Sequence, residues 1–306
     1  MRKIGLLCCW LLVICGVLTG CGPQYAGYID FSKGARVAAP AVATEEKPLR
    51  IAITSVLSPQ ETIGYYRQLA DHVTREMGRP MVLVQRKTYE ELNSLLANDQ
   101  VDLVFLSTGA YAAYRGITPI EMLVMVEWQG HSRYRTEVIV HKDSPYQSLE
   151  DLRDKVFAFT DPLSLSGHVM VTNYLWERQE RPEKYFRRYI YTSSHDKSIW
   201  AVANRVVDGA CMDSMVYEYA QEKNPDLAAQ IKVIAQFPPT PTGPVVVNRH
   251  LPLEQRQRLR QVFLQMHEHP ELHEAMRSLQ TDRYVPPRPE EYEPLRELYD
   301  HMRGLS

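Results

Sequence analysis

The sequence predicts an α/β protein of two lobes, each built on a mixed, mainly parallel sheet flanked by helices. Apolar segments of strand length alternate with segments of helical period, and the alternation occurs in two successive sets. The first set opens with two βαβ units, which favour parallel pairing. A proline-rich segment at residues 237–244 separates the second set from the C-terminal elements. A chain of 306 residues is long enough for two lobes.

The first 20 residues have the pattern of a secretory signal peptide. A basic start and an apolar stretch at residues 6–18 precede Leu-Thr-Gly-Cys at residues 18–21. This ending resembles the lipobox of bacterial lipoproteins, which implies that Cys21 is acylated, for example with palmitate. An uncleaved anchor and a plain secretory signal are the alternatives. Residues 21–48 are expected to be a flexible tether, so the protein is expected in the cell envelope, lipid-anchored to a bacterial membrane and facing the periplasm or the exterior.

Composition excludes several classes of protein. The chain carries 35 basic and 37 acidic residues, so no basic field for nucleic acid is expected. Three of the five cysteines precede Cys21, which leaves Cys211 without a partner for a disulfide. No His-Glu-x-x-His or Cys-x-x-Cys motif occurs, and no metal site is expected. His267, His269 and His273 have helical spacing in a charged region, which favours a solvated face.

The elements of the first set are predicted in order along the chain. Strands are expected at residues 49–54, 81–85, 101–106, 121–128 and 136–141. A helix carrying Tyr66 to Met77 ends at Gly78, and a second begins at the capping-box pattern of Thr88 and Glu91. A further helical segment follows Ser107.

The second set begins with a short helix at residues 148–151. Strands are expected at residues 156–159, 189–192, 209–212, 231–237 and 245–248, with helices between them and three helical stretches at the C-terminus. Two hinge crossings are expected near residues 141–145 and 237–244. Residues 49–142 and 243–306 are therefore predicted to form lobe 1, and residues 143–242 lobe 2, with closure on a ligand by hinge motion.

The segment after the strand at residues 156–159 has the ingredients of an anion pocket. Ser164 and Ser166 lie where a strand gives way to a helix, a place that offers free backbone N–H groups, a positive helix dipole and side-chain hydroxyls. Ser164 or Ser166 as the N-cap of an ordinary helix is the open alternative.

Three motifs resemble the phosphonate-, phosphite- and phosphate-binding protein family of ABC transporters. Residues 156–167 are similar to a family signature that ends in Asp-Pro, one variable residue and Ser-Thr-Ser-Gly. Residues 194–209 and 237–244 are similar to two further family segments in the same order. The resemblance spans residues 49 to about 279. It implies a type 2 periplasmic binding protein fold that holds an oxyanion between its lobes.

The resemblance also implies the ligand-binding residues. The serines of the family's turn correspond to Ser164 and Ser166, with Leu165 in place of the threonine and Gly167 after them. The family's histidine corresponds to His195, whose neutral ring could accept a proton of the ligand. Lobe 1 is expected to contribute Tyr89, Ser107 and Thr108.

Other candidates near these motifs have simpler interpretations. Asp213 has the position of a helix start, and His168 that of a core residue. Met215 and Gly243 replace two acidic residues that hold the amine in aminophosphonate-binding relatives, so a simple oxyanion is expected as the ligand.

The sequence thus predicts a monomeric, lipid-anchored solute-binding protein that captures phosphate, phosphite or a simple phosphonate for an ABC permease. The alternative is a ligand-sensing lipoprotein of the same fold that signals to a membrane receptor or histidine kinase. No enzymatic activity is expected. A hydrolase would need glycine two residues before Ser166, where Ser164 stands.

Overall fold

The structure, a computed structural model, describes residues 47–54 and 56–305. The predicted signal peptide, the predicted lipidation site Cys21 and nearly all of the predicted tether lie outside the described residues. Among the helices of the described part, none combines the length and apolar character needed to cross a membrane.

Strands and helices alternate through most of the described chain. The strands are β1 (Leu49–Ile53), β2 (Met81–Gln85), β3 (Leu103–Phe105), β4 (Ile120–Glu127), β5 (Arg133–Tyr134), β6 (Thr136–His141), β7 (Val156–Phe159), β8 (Arg188–Tyr191), β9 (Gly209–Asp213), β10 (Ile231–Gln236), β11 (Thr240–Pro241), β12 (Pro244–Asn248) and β13 (Arg283–Val285). The helices are α1 (Pro59–Met77), α2 (Tyr89–Ala97), α3 (Thr108–Ala113), a π-helix (Leu165–Val169) that continues into α4 (Met170–Trp176), α5 (Pro182–Tyr185), α6 (His195–Ala203), α7 (Ser214–Lys223), α8 (Pro225–Ala228), α9 (Leu253–Gln265), α10 (His273–Ser278) and α11 (Glu293–Leu305).

Two sheets organise these elements into the two predicted lobes. The sheet of lobe 1 has the order β13-β4-β12-β3-β1-β2, and the sheet of lobe 2 has the order β10-β6-β9-β7-β8. Helices cover both faces of each sheet. In lobe 1, α2, α3 and α11 pack on one face and α1, α9 and α10 on the other. In lobe 2, α6 and α7 pack opposite α4 and α5.

The sheets are mixed, as predicted, but parallel pairs do not predominate. β1 is parallel to β2 and β3, and β7 is parallel to β8 and β9, whereas the other ladders of the two sheets are antiparallel. The reason lies in the crossings. β6 and β12 enter their sheets from the other lobe, so they run away from the cleft while β3 and β9 run toward it.

The predicted boundary at residue 142 is wrong by one strand. β6 pairs with β9 and β10, so it belongs to lobe 2, and the first crossing lies before residue 136. β5 and β11 form a two-stranded ribbon where the chain crosses between the sheets. A nearly continuous apolar run predicts that β6 is buried on both faces, but the run does not indicate which sheet the strand joins. The short strand β13 was also not predicted.

Candidate functional site

A cavity of about 100 Å³ lies between the two lobes, at the carboxyl ends of β1, β3, β7 and β9. In α/β folds this edge is where helices begin and loops leave the sheet, so backbone N–H groups and polar side chains gather there. A single water occupies about 30 Å³ of liquid, so the cavity suits a ligand of a few heavy atoms.

Six of the seven predicted ligand-binding residues line this cavity: Tyr89, Ser107, Thr108, Ser164, Ser166 and His195. Gly167, the seventh, is not a lining residue. Its N–H donates to Ser164 Oγ (3.0 Å), and a Cβ at this position would lie 2.5 Å from Thr160 Oγ1. Gly167 therefore lets the turn pack closely against Thr160 and has no N–H free for a ligand.

The turn that carries Ser164 and Ser166 is fixed by its own hydrogen bonds. Asp161 accepts from Leu163 N (2.8 Å), and Thr160 N donates to Gly167 O (2.8 Å). Ser164 is the N-cap of the π-helix, because its Oγ accepts the Gly167 N–H. This cap uses a lone pair of the hydroxyl oxygen, so the hydroxyl proton of Ser164 remains available to an acceptor in the cavity.

Lobe 1 contributes hydroxyl groups in different hydrogen-bonding states. Ser107 caps α3 by accepting from Ala110 N (3.1 Å), whereas Thr108 donates its proton to Pro241 O (2.8 Å). Tyr89, the first residue of α2, is 1% exposed, and its hydroxyl has no hydrogen-bond partner within the described residues. Burial raises the pKa of Tyr89 well above its usual range, so the phenol is a neutral donor. A buried donor of this kind requires an acceptor from elsewhere.

The hydrogen bonds of His195 favour a donor role for its ring, whereas the sequence suggested an acceptor. The ring is buried, which lowers the pKa of His195 to about 4 and leaves it neutral at neutral pH. Its Nδ1 accepts from the backbone N–H of Asp213 (3.3 Å) and lies 3.3 Å from Thr160 Oγ1. Since a backbone N–H can only donate, the ring proton is assigned to Nε2.

Asp213 lines the cavity, although its sequence context indicated only a helix start. It is the last residue of β9 and caps α7, where Oδ1 accepts from Met215 N (2.8 Å). Burial raises the pKa of Asp213 to about 8, while the side chain keeps partial access to the cavity. Its position at a strand end beside the cleft was the signal that could have identified it.

Tyr134 of β5 is a further lining residue that the sequence did not reveal. Nothing in the sequence distinguishes it from the other tyrosines. His168 lies outside the cavity, where its Nδ1 is 2.9 Å from Pro162 O and its ring packs against Phe159.

The cavity holds no cationic side chain among its described lining residues, since neither lysine nor arginine is present. Helix N-termini lie at the cavity instead. The π-helix and α6 both begin at the cavity, where Ser164 and Ser194 are their N-cap residues. The arrangement can therefore hold an anion by neutral donors and helix dipoles.

Several hydrogen bonds join the lobes around the cavity. Tyr299 Oη donates to Leu163 O (2.9 Å), Ser58 N to Asp196 Oδ1 (3.0 Å), and Tyr89 N to Asp161 Oδ2 (3.2 Å). Leu165 and Val169 of lobe 2 are also part of an apolar cluster of lobe 1. The lobes are thus closed over the cavity.

Comparison with known proteins gives the same family from sequence and from structure. Residues 51–292 match the family model described as "ABC transporter, phosphonate, periplasmic substrate-binding protein". The phosphonates-binding periplasmic protein of Escherichia coli is 24% identical over 234 residues, which cover 74% of this chain and 68% of that protein.

Solved structures agree. The binding protein component of an ABC phosphonate transporter from Pseudomonas aeruginosa superposes with a TM-score of 0.75 at 26% identity, covering 83% of this chain and 86% of that one. PhnD1 from Prochlorococcus marinus, in complex with methylphosphonate, has a TM-score of 0.76 at 16% identity, covering 84% and 98%. The fold is that of the type 2 periplasmic binding proteins, and the chain belongs to the phosphonate family of periplasmic substrate-binding proteins of ABC transporters.

Proposed function

We propose that this protein captures a small phosphorus oxyanion (phosphite, phosphate or a simple phosphonate) in the cleft and delivers it to an ABC permease. The observation that carries the proposal is the unpaired, buried hydroxyl of Tyr89 in a cavity without a cation. An oxyanion with several oxygens satisfies this donor together with those of Ser164, Ser166 and His195. Binding of phosphonate by the E. coli relative and of methylphosphonate by the P. marinus protein supports this ligand class.

Asp213 sets the protonation of the bound ligand. A carboxylate and a doubly charged phosphorus oxyanion repel each other in a site without a cation, so one proton is shared between them. The raised pKa of Asp213 supports this sharing at neutral pH. In the complex one hydrogen bond then joins an oxygen of the Asp213 carboxyl group to an oxygen of the ligand, and either of the two can carry the proton.

One wall of the cavity favours a ligand with a non-oxygen substituent. Tyr66, Phe105 and Tyr284 line it, with the Tyr66 and Phe105 rings 5.1 Å apart. A fourth oxygen against the ring carbons of Phe105 would lose its hydration without gaining a partner, which costs about 1–3 kcal/mol. Phosphite and methylphosphonate are therefore expected to bind more tightly than phosphate.

Calorimetry tests the ligand class. Titrations with phosphite, methylphosphonate, phosphate and 2-aminoethylphosphonate are expected to rank the first two ahead of phosphate and the aminophosphonate last, because Met215 and Gly243 offer no carboxylate to an amine. Tightest binding of the aminophosphonate would mean that Asp213 pairs with the amine instead of sharing a proton with the anion.

Two serine variants test the site. A hydrogen bond to a charged group contributes about 1.5–3 kcal/mol, so Ser164→Ala and Ser166→Ala are each expected to weaken binding roughly 10- to 150-fold. A serine that acted only as a cap would lower the free energy of unfolding by about 1 kcal/mol and leave affinity intact. Unchanged affinity in both variants would contradict the proposed site.

We also propose that the protein is anchored through lipid on Cys21. The lipobox-like sequence supports the anchor. Cys21→Ser is expected to release the protein from the membrane fraction, and a variant that sediments with membranes as the wild type does would exclude lipidation as the anchor.

A further inference from the structure

Three metal-ligating side chains meet on lobe 1, outside the cleft. His72 projects from α1, whereas His269 and Glu271 lie in the turns between α9 and α10. One potential ligand atom from each residue lies within 4.8 Å of the other two. None of the three lines the oxyanion cavity.

The two histidines face each other in a way that ordinary core packing does not explain fully. Their ring centroids are 4.3 Å apart at an interplanar angle of 60°, and His269 Nδ1 lies 3.5 Å from Glu271 Oε1. His72 is only 2% exposed, and neither of its ring nitrogens makes a hydrogen bond within the described residues. The ring nitrogens of His72 are therefore not engaged by another protein group of the described chain.

The three side chains are of the kinds that bind transition metals. Two imidazoles and a carboxylate are a donor set that zinc prefers. Of the other charges near His72, Glu76 favours a cation and Arg75 opposes it.

We propose that His72, His269 and Glu271 bind a divalent transition-metal ion, with zinc as the best match and water in the fourth position. Zinc–ligand distances of about 2.0–2.2 Å place the ligand atoms of a tetrahedral site roughly 3.3–3.6 Å apart. The distance between two ligand atoms, at most 4.8 Å here, must therefore shorten by up to about 1.2–1.5 Å. Glu271 is exposed and His269 is partly exposed, so both side chains can move toward the fixed ring of His72.

The bound ion would connect α1 to the segment between α9 and α10. These two regions already pack together in the core of lobe 1. An ion that binds only the folded chain raises the melting temperature, and the rise grows with the logarithm of the free ion concentration above the dissociation constant. Because the ligands lie outside the cleft, the ion is expected to stabilise lobe 1 without taking part in oxyanion binding.

Competition with a chromogenic chelator tests the site on purified full-length protein freed of metal with EDTA. Zinc is expected to bind with one-to-one stoichiometry and to raise the melting temperature. Loss of a group that only orients a metal ligand weakens metal binding by about 10–100-fold. His269 and Glu271 are proposed as direct ligands, so His269→Gln and Glu271→Gln are each expected to weaken zinc binding more than tenfold. Cobalt should give a tetrahedral visible spectrum that both variants lose.

His273→Gln is the matched control, since His273 belongs to the same segment but not to the cluster. It should bind zinc as the wild type does, and all three variants should retain methylphosphonate binding, which shows that they fold. Equal zinc affinity in the wild type, His269→Gln and Glu271→Gln, or no zinc binding by the wild type, would overturn the proposal.

Discussion

Gly109 tests whether the closed arrangement of the lobes is the one that holds the ligand. It lies in α3, where the helix meets the turn of lobe 2. A Cβ at this position would lie 2.1 Å from Leu163 O and 2.6 Å from Leu165 N, both of them backbone atoms. Gly109→Ala therefore cannot be accommodated by a side-chain rotation, and the Ser164 turn must move away from lobe 1 by about 1 Å to restore ordinary contact distances.

The expected loss of affinity follows from the hydrogen bonds that this movement breaks. A displaced turn withdraws the donors of Ser164 and Ser166 from the ligand. Two bonds to a charged group at about 1.5 kcal/mol each amount to about 3 kcal/mol, or roughly a 150-fold weaker affinity. Folding should suffer little, because alanine is favoured over glycine in a helix by about 1 kcal/mol. The clash that remains within lobe 1 is with the Tyr299 hydroxyl (2.4 Å), which is the end of a side chain.

Gly64→Ala is the matched control for this change. Gly64 lies in α1, and a Cβ there meets nothing within 4 Å. This control should bind methylphosphonate as the wild type does. Calorimetry measures both variants, and small-angle scattering with saturating ligand should show a larger radius of gyration for Gly109→Ala only. If Gly109→Ala bound ligand within about threefold of the wild type, the closed arrangement could not be the liganded one.

Four further substitutions address individual residues of the proposed site. His195→Gln, whose amide nitrogen can replace Nε2–H, should bind within about tenfold of the wild type, whereas His195→Ala should lose more; equal losses would contradict a donor role. Tyr89→Phe should raise the ligand-free melting temperature and weaken binding, since it removes a buried unpaired hydroxyl; unchanged affinity would exclude this donor. Above pH 8 the shared proton must be taken up on binding, so the affinity of the wild type should fall by up to about tenfold per pH unit. The affinity of Asp213→Asn for the same ligand should fall less steeply. An identical slope in the two proteins would refute the shared proton.

The sequence predicted residues that line the cavity better than it predicted the boundary between the lobes. A strand, a turn with small hydroxyl residues and a helix form a local pattern, so Ser164 and Ser166 could be placed at the cavity before the fold was known. The position of Gly109 against Leu163 O is a contact between lobes, and no local pattern encodes it. The sheet that β6 joins depends on its partners β9 and β10, which are distant in sequence.

The sequence left open whether such residues cap helices or bind the ligand. In the structure the two roles are compatible. Ser107, Ser164 and Asp213 all line the cavity, and each accepts a backbone N–H at the start of a helix. A cap occupies one lone pair and holds the side chain in one orientation. The proton of a capping serine, or the second oxygen of a capping carboxyl group, is then free to interact with a ligand from a fixed position. If the proposed site is correct, capping holds these side chains in place for the anion, and a substitution should change stability and affinity together.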